Sequence, residues 1–134
     1  MSNKARIMDT LQKEINRIKS GVLLIVKLLN KDELNILIED TAAIIDKFYL
    51  MVEKACEKAS DYVILRTHDP TRLYIVLPDD TKIAERLAYS IYKQVQLYVD
   101  SEIPESYLKC GVGSIKFDEN QKRADKLLSL LLYA

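Results

Sequence analysis

Apolar residues recur along this chain with two periods, and the switches between them mark out the elements. Ile7, Leu11, Ile15 and Ile18 fall at three- and four-residue steps with charged residues between them. Residues 3–19 therefore predict an amphipathic helix with a narrow apolar stripe, stopped by Ser20-Gly21. Residues 21–29, GVLLIVKLL, are short, nearly all apolar and partly β-branched. They predict a strand covered on both faces. Asn30-Lys31-Asp32 interrupts the pattern, and Asp32 is a candidate helix cap. A helical pattern then runs to about residue 58, carrying Leu34, Leu37, Ile38, Ile44, Ile45, Phe48, Met51, Val52 and Ala55 on one face. Asp40-Thr41 offers a second start within it.

Residues 61–78, DYVILRTHDPTRLYIVLP, hold two short apolar runs around a polar turn at 68–71. Pro presets φ in that turn and Asp bonds the backbone ahead of it, so the stretch predicts a hairpin. Asp79, Asp80 and Thr81 read as caps for a helix over 82–99, with Ala84, Leu87, Ala88, Ile91, Val95 and Tyr98 facing inward. A fourth strand is expected over 107–115. A last helix is expected over 120–134, with Leu127, Leu128, Leu131 and Leu132 buried. After the first helix the order is β-α-β-β-α-β-α. It predicts an α+β fold of ferredoxin-like type, an antiparallel sheet built from a split β-α-β pair. The extra N-terminal and C-terminal helices are candidates for covering its second face. The chain divides as 1–20, an amphipathic helix, and 21–134, one folded unit.

Composition narrows the class of function. A chain of 134 residues suits one domain, and 20 basic against 20 acidic residues leave a net charge of zero. That balance disfavours a nucleic-acid binder, which carries a basic excess. Aromatics suitable for stacking RNA are missing from the first strand, and only Tyr74 stands in the third. No apolar run is long enough to span a membrane, and the first residues lack a signal-peptide core, so a cytoplasmic protein is expected. Cys56 and Cys110 form no CxxC and read as reduced, buried thiols. No metal and no cofactor is expected.

Several stretches together resemble the diguanylate cyclase domain, known by its GGDEF signature, across about four-fifths of the chain. The end of the first strand and its continuation, Lys27-Leu28-Leu29-Asn30-Lys31-Asp32-Glu33-Leu34-Asn35, are similar to the family's D-x-D-N-F-K-x-I-N. Ser60-Asp61-Tyr62-Val63 opens the hairpin and Tyr74-Ile75-Val76-Leu77-Pro78 closes it as in the family. The family's S-I-G strand looks like Cys110-Gly111-Val112-Gly113 or Ser114-Ile115. Lys122-Arg123-Ala124-Asp125-Lys126-Leu127-Leu128 is similar to K-R-A-D-K-A-L. The resemblance implies a nucleotidyl-cyclase-like sheet. It also exposes departures: the signature positions read Thr67-His68-Asp69-Pro70-Thr71 counted forward from Asp61, or Asp69-Pro70-Thr71-Arg72-Leu73 counted back from Pro78, and neither register has the paired glycines and carboxylates. Lys27 and Leu29 stand at the carboxylate positions of the first strand.

Those departures remove the residues that would hold two divalent metals. The expectation is therefore a catalytically inactive module, not an enzyme, acting by protein–protein interaction in signalling. The alternative is a sensor binding a guanine nucleotide or cyclic dinucleotide through Asn30, Asn35, Lys58 and Asp61. Within that set, Lys58-x-x-Asp61 matches the family's product-binding R-x-x-D with Lys in place of Arg. A second alternative is an unrelated ferredoxin-like enzyme. The expected partner is a protein or a second copy, and a homodimer is favoured, paired through Ile7, Leu11, Ile15 and Ile18. His68, alone in its turn, offers no catalytic arrangement. Asp69, Asp79 and Asp80 read as turn and cap residues.

Overall fold

A computed structural model of the chain describes residues 3–30, 38–57, 59, 61–67, 71–78, 81–104 and 108–132. The run 21–30 folds as β1 (Gly21–Asn30), and its position explains its composition. It lies inside a four-stranded antiparallel sheet of order β2-β3-β1-β4, with β2 Val63–Arg66, β3 Arg72–Pro78 and β4 Leu108–Phe117. Successive side chains of β1 point to opposite faces, and both faces are covered. Val22, Leu24, Val26 and Leu28 join Ile75 beneath α2 (Ile38–Cys56) and α3 (Thr81–Glu102). Leu23 and Ile25 join Tyr74 and Val76 beneath α1 (Asn3–Asn16) and α4 (Ala124–Leu132). The α+β arrangement with two helices on each face is the one the periodicity predicts.

Gly21 fixes how closely β1 and its neighbours approach. A methyl added there would overlap the Leu77 carbonyl oxygen and stand 2.7 Å from Cζ of Phe117. Register is set from this start: Gly21 faces Pro78 on β3 and Phe117 on β4, and Leu24 faces Ile75 and Ser114.

The expectation of a dimer seam on the first helix is corrected by the burial of its stripe. Leu11 and Ile15 are fully buried within this one chain, and Ile7 and Ile18 pack on the same cluster. A narrow stripe suffices because α4 covers the rest of that face. Polar bonds lock the pair: Gln12 Nε2 donates to the Lys122 carbonyl at 2.7 Å, and the Ala124 amide donates to Gln12 Oε1 at 2.8 Å. Gln12 thus supplies the cap that an N-terminal amide of α4 needs.

Three helix limits differ from expectation: α3 runs to Glu102 instead of 99, and two others differ for local reasons. α1 stops at Asn16 instead of 19, because the chain turns there into β1 and Lys122 Nζ donates to the Ile18 carbonyl at 2.6 Å. α4 begins at Ala124 instead of 120, because Asp118 Oδ1 accepts from the amides of Asn120 and Gln121 and holds 118–121 as a turn. His68, Asp69, Asp79 and Asp80 lie outside the described residues, as do Asn35, Lys58 and the expected first part of the second helix with Asp32, Leu34 and Leu37.

Candidate functional site

The sheet has two ends, and each gathers polar chemistry. At one end β1 runs out beside the hairpin. The Leu28 amide donates to the Thr71 carbonyl at 2.8 Å, which makes 28 and 71 a hydrogen-bonded pair. The preceding pair, Lys27 and Arg72, is then a non-hydrogen-bonded one, the kind whose side chains stand closest. Alternation continues the row of Leu23, Ile25, Tyr74 and Val76, so both cations lie on the α1/α4 face of the sheet, beyond its apolar cover. Thr67 Oγ1 donates to the Arg72 carbonyl at 3.0 Å and fixes the hairpin's neck. On the opposite face Arg66 lies 3.8 Å from the centre of the Tyr49 ring, which ties the hairpin to α2.

Two like charges directly opposed across strands repel. Burial, and then the Arg72 guanidinium beside it, hold the Lys27 ammonium below the ordinary lysine range. Arg72 Nε is buried and has no hydrogen-bond partner among the described residues. On the other side of Lys27 stands Gly111, where an added Cβ would meet only Leu29 Cδ1, at 3.6 Å. Leu29 and Lys109, the next pair in the same row, are exposed.

At the opposite end of the sheet a cleft of about 550 Å³ opens between the end of α1 and the start of β2. Glu14, Arg17, Lys19, Asp61 and Tyr62 line it together with Pro78. Asp61 adopts a left-handed φ of 58°, a conformation that Asp tolerates better than most residues. Arg17 bridges to Glu14 at 2.9 Å along the surface of α1.

Of the expected nucleotide-binding set, Asn35 and Lys58 lie outside the described residues. Asn30 closes β1 at the cationic end, and Asp61 lies in the cleft at the other. Nine residue steps of strand separate those ends, roughly 30 Å. One nucleotide cannot touch both. Arg72 falls within one register of the signature but was not among the expected site residues, because its pairing with Lys27 appears only in the strand register. The signal for it is the alternation in both strands: once Ile75 opposes Leu24, position 72 must oppose Lys27.

No protein-family model and no curated protein matches the sequence. Solved structures do match in fold. The GGDEF domain of a Pseudomonas aeruginosa protein superposes with a TM-score of 0.58 at 17% identity, covering 99% of this chain and 86% of that one. The chain has a GGDEF-like fold. Other structures sharing this GGDEF-like fold are a bacterial light-regulated adenylyl cyclase and the diguanylate cyclase SiaD of P. aeruginosa, solved with its activator SiaC. The adenylyl cyclase gives a TM-score of 0.60 at 9% identity, covering 83% of this chain and 69% of that one. SiaD gives 0.57 at 16%, covering 99% of this chain, which spans 55% of the SiaD chain.

These neighbours overturn the expectation that the chain is not an enzyme: the GGDEF-like fold it shares is a scaffold on which cyclases are built. The metals the fold implies do not fit the first-strand position, however. A dication placed at Lys27 and Arg72 would meet two cations, one of them with a buried, unpartnered donor. Among the described residues no cluster of His, Cys, Asp and Glu is grouped to hold a metal, and no helix is long and apolar enough to cross a membrane.

Proposed function

We propose that the chain is a GGDEF-like signalling module that acts by binding a partner protein through the outer face of α3. One observation carries this reading. α3 buries Ala84, Leu87, Ile91, Val95 and Val99 in the core, yet leaves Ile83, Tyr89, Tyr92 and Leu97 exposed. Tyr89 and Leu97 are each 64% exposed. Tyr is favoured at interfaces because one rigid side chain offers both apolar area and a polar tip. Lys93, 5.9 Å from the Tyr89 ring centre, and Arg86 border this surface. SiaD, which shares this fold over 55% of its length, was solved in complex with a protein activator, which is in keeping with a partner-binding role.

The test is site-specific photo-crosslinking in cells at Tyr89 and Leu97, with exposed Lys126 on the opposite face as control. A partner identified at both α3 positions must then bind the purified protein and lose that binding in Leu97→Glu. Equal capture from Lys126, or no capture at all, refutes the reading. Products containing only a second copy would make the chain its own partner.

A second reading has its own observation. The Asp61 cleft sets the Asp61 carboxylate beside Lys19, Tyr62 and Arg17, the last of them bridged to Glu14. That combination suits a guanine edge and a phosphate, and so a guanine nucleotide or cyclic dinucleotide. Calorimetry with GTP and cyclic di-GMP tests it; heat that survives Asp61→Ala places the ligand elsewhere.

A further inference from the structure

We propose that Lys27 and Arg72 form a binding site for a phosphate-type oxyanion that needs no metal. The reason is an imbalance built into the sheet. Cross-strand pairs on a covered face are normally apolar or of opposite charge. Here the row Leu23/Val76 and Ile25/Tyr74 continues as Lys27/Arg72, two cations at the closest kind of pair. Neither forms an ion pair among the described residues. Arg72 Nε is held out of water without a hydrogen-bond acceptor, a costly state for a charged group. An oxyanion between the two side chains supplies what both lack: negative charge for the pair and an acceptor for Nε.

The surroundings fit that ligand. Gly111 beside Lys27 presents no side chain, and among the described residues an added Cβ there would meet Leu29 Cδ1 alone, at 3.6 Å. Lys109, exposed two residues earlier on the same strand and face, adds a third cation within reach of an extended anion such as a di- or triphosphate chain. A guanidinium fork is the group best shaped for phosphate oxygens, and an ammonium contributes as a point charge. Burial first, and then the Arg72 guanidinium beside it, lower the lysine pKa, so the ammonium stands partly desolvated and next to another cation. The inference is independent of the α3 surface and of the Asp61 cleft, which lies at the far end of the sheet.

The experiment uses the whole chain in EDTA, so that no metal contributes. Inorganic pyrophosphate and phosphate are titrated by calorimetry, and thermal stability is followed in parallel. Pyrophosphate is expected to bind and to raise the melting temperature. Lys27→Met and Arg72→Gln should each weaken that binding about 10- to 100-fold, the worth of one charge-assisted bond. Lys27→Met should also leave the anion-free protein as stable as the wild type or more so, since it removes the repulsion. This second readout separates binding from folding and stands even if Arg72→Gln unfolds. Absence of pyrophosphate binding, or binding unchanged in Lys27→Met, overturns the proposal. So does a Lys27→Met protein that is markedly destabilised without anion, because Lys27 would then already have its counter-charge in the fold.

Discussion

Leu11→Ala separates a helix that belongs to the core from a helix that waits for a partner. Leu11 is fully buried against Leu23, Ile25, Leu127 and Leu131 on the second face of the sheet. Truncation removes the transfer energy of the lost atoms and leaves a cavity that α1 cannot close by moving, because Gln12 is bonded to the backbone of 122 and 124. The expected cost is about 2–5 kcal/mol. A domain of this size has only about 5–15 kcal/mol in total. At about 3–4 °C per kcal/mol, interpolated for this length, the melting temperature falls by roughly 6–20 °C. Urea unfolding followed by circular dichroism measures the loss, and sedimentation of the same samples reports association. Leu11→Lys should abolish the cooperative transition altogether. A loss below about 1 kcal/mol, together with a shift from dimer to monomer, would refute the reasoning and return the stripe to an intersubunit seam.

Three further outcomes rest on named contacts. Gly21→Ala should destabilise by about 1–3 kcal/mol or more, because the carbonyl of Leu77 and the ring of Phe117 occupy the space; an unchanged urea midpoint would contradict the close approach of β1 to its neighbours. Gln96→Leu should cost about 1–3 kcal/mol and speed exchange of the Cys110 amide, which donates to Gln96 Oε1 at 2.9 Å while Nε2 reaches the Leu108 carbonyl at 3.4 Å; protection of that amide in the variant would assign its bond elsewhere. Burial pushes the Cys56 and Cys110 thiols up to about 12, Glu53 adding to the effect on Cys56. At pH 8 both should resist a disulfide reagent in the native protein and react in urea, whereas rapid native labelling would mean that the core opens locally.

The sheet was legible because its strands carry their own periods. An unbroken apolar run marked β1 as central, and the two runs around Asp69-Pro70 marked a hairpin. Both arise from local chemistry. The destination of α1 was not legible: a stripe of four apolar residues is compatible with its own sheet or with a second helix. What decides is Leu127 and Leu131, more than a hundred residues away, filling the remainder of that face. The start of α4 was missed because the Asp118 turn takes up 118–121, and the amide of Ala124 is then capped from a distance by Gln12. At the candidate site, Lys27 stood out by its type in an apolar strand. Arg72 did not, because a basic residue after a turn is ordinary until register sets it against another cation.

The stitching of α1 to α4 has a consequence for how the chain is made. Residue 12 meets residues 122 and 124, so one side of the sheet is closed by the first and last helices together. The α2/α3 side can assemble once β4 has been synthesised. Tyr74, Val76, Leu23 and Ile25 on the other side have only α1 to cover them until α4 emerges from the ribosome. Slow contacts are those between distant residues, and these are among the most distant in the chain. The contacts therefore predict that this second side is sealed late in folding, and that slowing the arrival of α4 raises association of the chain, which pulse-labelling hydrogen exchange of the β1 and β3 amides would test.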